Sequence, residues 1–384
     1  MHSERVMLDL VGRVYDAAGD PTRWPAFLDR LASVFKSTGS TFYAYDFARA
    51  NGTIAATFGF DAAYLRSYYA YYAPKNVYMI RGEKLLVPGT VCRSEALCPD
   101  QEAVRTEFYN DWIAPQRQRY GVNAVLARKG SLVSLLGLVR APKVPMFADY
   151  DLVFLRTLLP HLQRAVQLHQ KITRLETENQ AASDALNRWP TGVILFDDTG
   201  QILLMNRAAE SILNQHDGLT SNKGKLETGT AHKTALLHHL IRCATQTAAG
   251  LDRDPGGALL LSRPSGKRAL QVLVAPACAS QTLFPFPAAT AAVFITDPEA
   301  DGLLGEDVLR QLYGLSRAEA GVTALLLQGK DLTEVSDELR VSRETTRTHL
   351  KHIFEKTGTR RQTDLMRLLL RSPAGILIKN HPFG

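Results

Sequence analysis

The sequence predicts a multidomain α+β chain in which two mixed α/β regions precede an all-α module of four short helices. Three observations carry this expectation. The 384 residues exceed what one ordinary domain holds and suit two or three. A composition of 45% hydrophobic and 22% charged residues is that of a folded chain, not a disordered one. Apolar residues alternate in strand fashion in several stretches up to about residue 300, and return at helical spacing with cap signals beyond it.

Residues 1–150 make the first region. Leu28, Leu31, Val34 and Phe35 share a helix face. TFYAYDFA alternates like a strand, Asn51-Gly52-Thr53 is expected to turn, and IAATFGF returns. GVNAVLARKG and SLVSLLGLVRAP add two strands around a turn at Lys129-Gly130, which gives an antiparallel sheet. Tyr64, Tyr68, Tyr69, Tyr71, Tyr72 and Tyr78 crowd one segment. They fit an aromatic-lined pocket for an unidentified small molecule, with Tyr68, Tyr72 and Tyr78 as candidate ligand-binding residues. The alternative is a helix that uses its tyrosines as the amphipathic edge of a core.

Residues 151–187 read as a long connecting helix. Leu168, Ile172, Leu175, Asn179, Ala182 and Leu186 follow a 4-3-4-3-4 spacing, a short heptad seam with the kind of core asparagine that fixes register in a dimer. The alternative is a helix packed on its own domain. His161 has the look of a phospho-accepting histidine, but no nucleotide-binding boxes follow it, so it reads as an ordinary helix residue.

Residues 188–300 open with a strand, Val193 to Phe196, a tight turn at Asp198-Thr199-Gly200 and a second strand, Gln201 to Met205. Asn206 then leads into a short helix bearing Ala208 and Ala209. A hairpin around Pro264-Ser265-Gly266 and a closing strand in AATAAVFITDPEA follow. This order resembles a PAS domain. Asp197-Asp198 invites a phospho-receiver reading instead, which needs a phospho-accepting aspartate at the end of a later strand. Asp252 and Asp254 follow no apolar run, and that reading is rejected.

Several function classes find no support. Cys92, Cys98, Cys243 and Cys278 have neither zinc-finger nor CxxC spacing and read as reduced thiols. Walker A, GxSxG, HExxH and paired metal-ligand spacings are missing, so no catalytic or metal site is assigned and the chain is not expected to be an enzyme. No cofactor is expected: the cysteine motif of flavin photosensors is lacking, and His232, His238 and His239 read as helix-borne rather than haem ligands. No apolar run reaches the roughly 20 residues of a membrane span, and no signal-peptide h-region opens the chain. A cytoplasmic protein without membrane contact is expected.

Residues 309–373 are the most explicit part. Ser316 with Glu319, and Asp331 with Glu334, are capping boxes, and Gly329 is a natural helix end. Ser342 caps a third helix, and Thr359 with Gln362 is expected to open a fourth. At about 100° per residue, Thr346, Leu350, Ile353, Phe354 and Thr357 fall on an inner face of the third helix. Glu344, Thr348, Lys351 and Glu355 fall opposite, with Arg347, Thr345 and His352 at the flanks. From Arg310 to Gly384 there are 13 Lys/Arg against 8 Asp/Glu, so much of the formal net charge of +7 sits here, as a nucleic-acid partner requires. A second helix of a helix-turn-helix places its first residues on base edges, where Arg and Lys donate to guanine.

Leu315-Ser316-Arg317-Ala318-Glu319, Gln328-Gly329, Glu334-Val335, Val341-Ser342, Thr345, Arg347-Thr348-His349-Leu350, Ile353, Lys356, Gly358 and Leu365 resemble the LuxR-type (GerE-like) helix-turn-helix of bacterial transcription regulators. The resemblance implies a four-helix domain that binds double-stranded DNA as a homodimer on an inverted-repeat operator, with RNA polymerase as a further candidate partner. It makes Arg347, Thr348 and Lys351 groove readers, and puts Ser342, Thr345 and His352 near the DNA backbone. Arg343 belongs to the same basic run, His349 orients the helix or touches phosphate, and Arg360 and Arg361 clamp the backbone. Two residues depart from the family pattern. Arg340 stands where glycine is common, so the turn must suit an arginine, and Thr346 stands where valine is usual, putting a hydroxyl on the inner face. The opening Asp20-Pro21-Thr22-Arg23-Trp24-Pro25-Ala26-Phe27-Leu28 resembles that of regulators with an N-terminal sensory region, implying a GAF-like or autoinducer-domain-like first domain. The match to acyl-homoserine-lactone receptors is poor. The leading expectation is therefore a signal-controlled DNA-binding regulator. The alternatives are a sensory ligand-binding protein with little DNA binding, or a signalling enzyme.

Overall fold

The computed structural model describes residues 4–251, 254–277, 289–300 and 306–372. Cys278 and Asp252, weighed above, lie outside them. The chain divides into two compact units, residues 1–178 and 179–384.

The first unit begins with helices α1 (Glu4–Gly19) and α2 (Trp24–Val34). Between them the Asp20 carboxylate accepts from the Thr22 N–H and hydroxyl and from Arg23, capping a short turn that starts at Pro21. Trp24, Phe27 and Leu28 then enter the core, so this opening motif is used for folding. Strands β1 (Gly39–Asp46), β2 (Asn51–Phe58), β3 (Val91–Arg93), β4 (Tyr120–Lys129) and β5 (Leu132–Arg140) pair antiparallel in the order β2-β1-β5-β4-β3. Asn51-Gly52-Thr53 does not turn. Asn51 already pairs with Asp46, and the turn falls on the preceding residues, where Ala50 takes a positive φ of 48°.

The sheet has two different faces. Leu136, Leu138, Val122 and Ala124 pack against α1, α2 and the first half of α7 (Asp149–Leu186). The opposite face carries Tyr43, Tyr45, Val125 and Leu135 under four short helices, α3 (Ala62–Ser67), α4 (Val77–Gly82), α5 (Ser94–Leu97) and α6 (Asp100–Ala103), with two π-helical turns at Tyr68–Tyr72 and Phe108–Ile113. Buried Arg140 locks the strand end to the start of α7. Its guanidinium donates to the Phe35, Pro145 and Met146 carbonyls and pairs with Asp151 at 3.2 Å.

In the second unit, β6 (Gly192–Phe196), β7 (Ile202–Met205), β10 (Gly257–Leu261), β11 (Leu270–Pro276) and β12 (Ala291–Thr296) form a sheet in the order β10-β11-β12-β6-β7. Helices α8 (Arg207–Asn214) and α9 (Ala231–Ala248) cover one face, with the small hairpin β8 (Leu219–Asn222) and β9 (Lys225–Thr228) alongside. Asn206 saturates its side chain. It accepts from the Val193 and Ala209 N–H groups and donates to the Leu186 and Thr191 carbonyls, all at 2.9–3.0 Å. Asp197 accepts from the Thr199 and Gln201 N–H groups, so the first of the two acidic residues holds the turn.

The helical segment of this unit comprises α10 (Glu306–Tyr313), α11 (Arg317–Leu327), α12 (Leu332–Leu339), α13 (Arg343–Thr357) and α14 (Gln362–Leu370). It holds one helix more than expected, because α10 lies ahead of the capped run and buries Leu309 in the shared core with Leu326, Val335, Ile353 and Leu365. Both capping boxes form. Thr359 does not cap α14. Its hydroxyl bonds Thr357 at 2.9 Å, and Arg361 occupies the cap position without a side-chain bond. The Thr359 N–H closes α13 on the Phe354 carbonyl at 3.0 Å after Gly358 turns left-handed at φ 68°, and the next helix starts three residues later.

Candidate DNA-reading helix and sensory cavity

The candidate reading helix α13 is held from three sides. At its start the Ser342 hydroxyl accepts from the Thr345 N–H at 3.1 Å and lies 2.8 Å from the Thr345 hydroxyl. On its inner face Thr346 is fully buried, yet its hydroxyl meets Ser336 of α12 at 2.9 Å. A buried hydroxyl costs free energy only when unpaired, and here the departure from valine is matched across the turn by a serine. At the far end the Lys356 ammonium reaches the Glu319 carboxylate of α11 at 2.6 Å, with His352 Nδ1 3.8 Å from the same group. Burial pushes the Glu319 carboxyl up, but the Lys356 and Ser316 hydrogen bonds outweigh it and hold it below its ordinary range.

Arg340 shows what the turn asks of its arginine. It takes the left-handed conformation a glycine would prefer, φ 55° and ψ 43°. The three-residue turn from α12 to α13 uses that backbone, and the Val341 N–H closes on the Ser336 carbonyl at 3.0 Å.

The outer face sorts the candidate residues. Arg343, Thr345, Arg347, Thr348, Lys351 and His352 are exposed and His349 is half-buried. Arg347, Lys351, Arg360 and Arg361 make no ion pair among the described residues, in contrast to Lys356. The Thr348 hydroxyl is already committed to the Glu344 carbonyl at 3.0 Å. It therefore offers a ligand its methyl and lone pairs rather than a donor. His352 faces Glu319, which ties it to the fold as much as to the surface.

A second candidate site lies on the face of the first sheet that carries Tyr43, a cavity of about 100 Å³. Tyr68 and Tyr78 line it, but Tyr72 does not; it packs against Phe108 behind the π-helical turn. The wider bore of a π-turn displaces one residue from the lining face, which helical spacing alone does not reveal. Phe108 and Trp112 stack at 5.2 Å and 13° to form one wall. The opposing floor is bare backbone at Gly137, flanked in register by Thr41 and Asn123. Tyr43 donates to Asn123 at 2.8 Å. Burial pushes Tyr68 up to about 12 and raises Tyr43 and Tyr78 as well, so these phenols stay protonated at physiological pH. Sequence reasoning missed Gln118, which lines the cavity just before β4 with its amide oxygen buried and unpartnered among the described residues.

Among the described residues no group of three or more His, Cys, Asp or Glu is placed to hold a metal ion, and no helix is long and apolar enough to cross a membrane. No curated protein matches the chain. Solved structures give matches that include the VqsR LBD domain from Pseudomonas aeruginosa, at 12% identity over 42% of this chain and 95% of that one, with a TM-score of 0.37. A GAF domain/HD domain protein from Geobacter sulfurreducens matches at 17% identity over 42% and 97%, TM-score 0.31. The VqmA–ligand–DNA complex of Vibrio cholera matches at 18% identity over 49% and 85%, TM-score 0.21. Scores this low carry no argument about the fold or function of this chain. The sequence of the helical segment does carry one. Residues 314–369 match the GerE family, described as bacterial regulatory proteins of the luxR family, over the span from Gly314 in front of α11 to Leu369 in α14. That stretch, with its turn at Arg340 and its exposed basic helix, is a luxR-family DNA-binding domain.

Proposed function

We propose that the protein is a transcription regulator that binds double-stranded DNA as a homodimer at an inverted repeat and is controlled by a small molecule sensed upstream. One observation carries the DNA reading: α13 turns Arg347 and Lys351 outward, without ion-pair partners, while Thr346 and Ile353 bury its other face. In this reading α13 enters the major groove, with Arg347, Thr348 and Lys351 against base edges. Ser342, Arg343, Thr345, His349, His352, Arg360 and Arg361 sit along the phosphates.

The domains of this reading are a GAF-like sensory domain over 1–150, a signalling helix over 151–187, a PAS-like domain over 188–300 and the DNA reader over 309–373. The cavity under Trp112 is the sensory site, and the response passes to transcription through RNA polymerase. A signal acts here only through different affinities for DNA-competent and DNA-incompetent states.

Selection of bound DNA from a random pool, followed by gel shifts at fixed salt, tests the assignment. Lys351→Ala is expected to weaken the selected site by about 1–3 kcal/mol and relax preference at one position of each half-site. Unchanged sequence preference sinks the assignment of Lys351. The rival, a sensory protein with little DNA binding, is supported only if no salt-sensitive DNA binding occurs.

A further inference from the structure

The cavity of the first unit also carries information about the chemistry of its ligand. Arg119 is the one formally charged residue among its described lining, and its charge is already paired: it donates to Asp100 at 2.6 Å and to the Tyr109 hydroxyl at 2.8 Å. Tyr43, Tyr68 and Tyr78 stay neutral, as described above. A charged ligand entering here gives up its hydration without gaining a counter-ion. The shape is restrictive as well. A glycine in mid-strand marks a place where something approaches the backbone closely. A Cβ built on Gly137 would stand 3.2 Å from the Tyr43 ring and 3.4 Å from the Thr41 methyl, so any side chain there would crowd the floor opposite the Trp112–Phe108 wall. A dry cavity of roughly 150 Å³ takes benzene, so about 100 Å³ suits a single ring or less. Finally, Gln118 is only 2% exposed and its buried amide oxygen accepts no hydrogen bond among the described residues. An unmet buried acceptor is a standing demand for a donor.

We infer that the cavity selects an uncharged, flat molecule of about one ring that donates a hydrogen bond to Gln118, whose amide sets the specificity, while Gly137 sets the thickness. This rests on reading the cavity as the sensory site. The test is a titration of the full chain with four single-ring probes, followed by NMR: phenol, toluene, benzoate and benzylammonium. Phenol is expected to bind tightest, with both ions at least about tenfold weaker. Gln118→Leu is expected to weaken phenol about tenfold, the size of one neutral hydrogen bond, and to leave toluene unchanged or tighter. Its melting temperature should not fall, because the change removes an unpaired buried acceptor. Gly137→Val is expected to abolish binding of all four. Ile113→Phe fills the cavity from the helical wall and replaces it if the glycine variant fails to fold.

Benzoate or benzylammonium binding as tightly as phenol overturns the uncharged class. Equal loss of toluene and phenol in Gln118→Leu overturns the role of Gln118. Either result leaves the cavity as the sensory site. Phenol binding that survives both filling variants places binding elsewhere and overturns the sensory reading itself. Failure of all four probes to saturate overturns the single-ring class.

Discussion

At the scale of single residues, the left-handed Arg340 is the clearest cost in the DNA reader. An L-residue there loses about 1 kcal/mol or more to the contact between its Cβ and the following carbonyl, and glycine escapes it. Arg340→Gly is expected to raise the stability of the C-terminal transition in urea by about 0.5–1 kcal/mol, the remainder being lost to glycine's greater freedom when unfolded. A fall in stability would mean that the arginine side chain contributes more than its backbone costs. Asp217 supplies a second residue-scale prediction. Its carboxyl is held down to about 2 by the Ser265 hydroxyl and N–H, with Arg263 beside it. A depressed carboxylate contributes stability above its ordinary value of 3.8, and that contribution disappears as the pH falls toward 2. Ser265→Ala raises the folded value, so stability measured between pH 4 and pH 2 should fall less steeply than in the parent. An unchanged slope would mean that the backbone N–H of residue 265 and Arg263 hold the carboxylate without the hydroxyl.

At the scale of elements, legibility followed the range of the interactions. Caps are local: Ser316 with Glu319 and Asp331 with Glu334 each sit within three residues, and both boxes were readable. The Asn206 turn and the antiparallel strands were equally legible, because a period of two and a capping side chain need no distant partner. What failed was set by neighbours far along the chain or by one-residue shifts. The first hairpin turned a residue or more earlier than Asn51-Gly52-Thr53 suggested. Tyr72 was carried off the cavity by a π-turn, and the Ser336–Thr346 pair joins residues on two helices. Gln118 gave no signal at all, since an unpaired amide is a property of its surroundings and not of its type. The heptad seam on α7 remains an element-scale expectation with a clear test. Leu168 and Leu175 are 45% and 53% exposed in the single chain, as residues waiting for a partner helix must be. Leu175→Asp is expected to weaken self-association by tenfold or more in sedimentation, about 1.4 kcal/mol. No change would place the dimer contact on another element.

At the scale of the whole molecule, charge and symmetry meet in the salt dependence of DNA binding. Each phosphate neutralised releases condensed counterions, and the slope of log K against log salt falls by about 0.9 for each such contact. Arg360 and Arg361 lie at the start of α14, exposed and without ion pairs among the described residues, and they are read as backbone clamps. If the protein binds as a homodimer, every substitution acts twice. Arg360→Ala should then reduce the magnitude of the slope by about 2 rather than about 1, and weaken selected and unrelated sequences to the same extent. Arg347→Ala should do the opposite: it should leave unrelated DNA nearly as well bound beyond the loss of its charge, yet reduce the preference for the selected site by about 1–3 kcal/mol per half-site. Binding isotherms between roughly 50 and 200 mM salt resolve both quantities, because a handful of phosphate contacts changes affinity by orders of magnitude over that range. A slope change near 1 for Arg360→Ala would say that one protomer clamps the DNA, and would overturn the homodimer. Equal effects of Arg347→Ala on selected and unrelated DNA would remove Arg347 from the base edges and leave it with the phosphates.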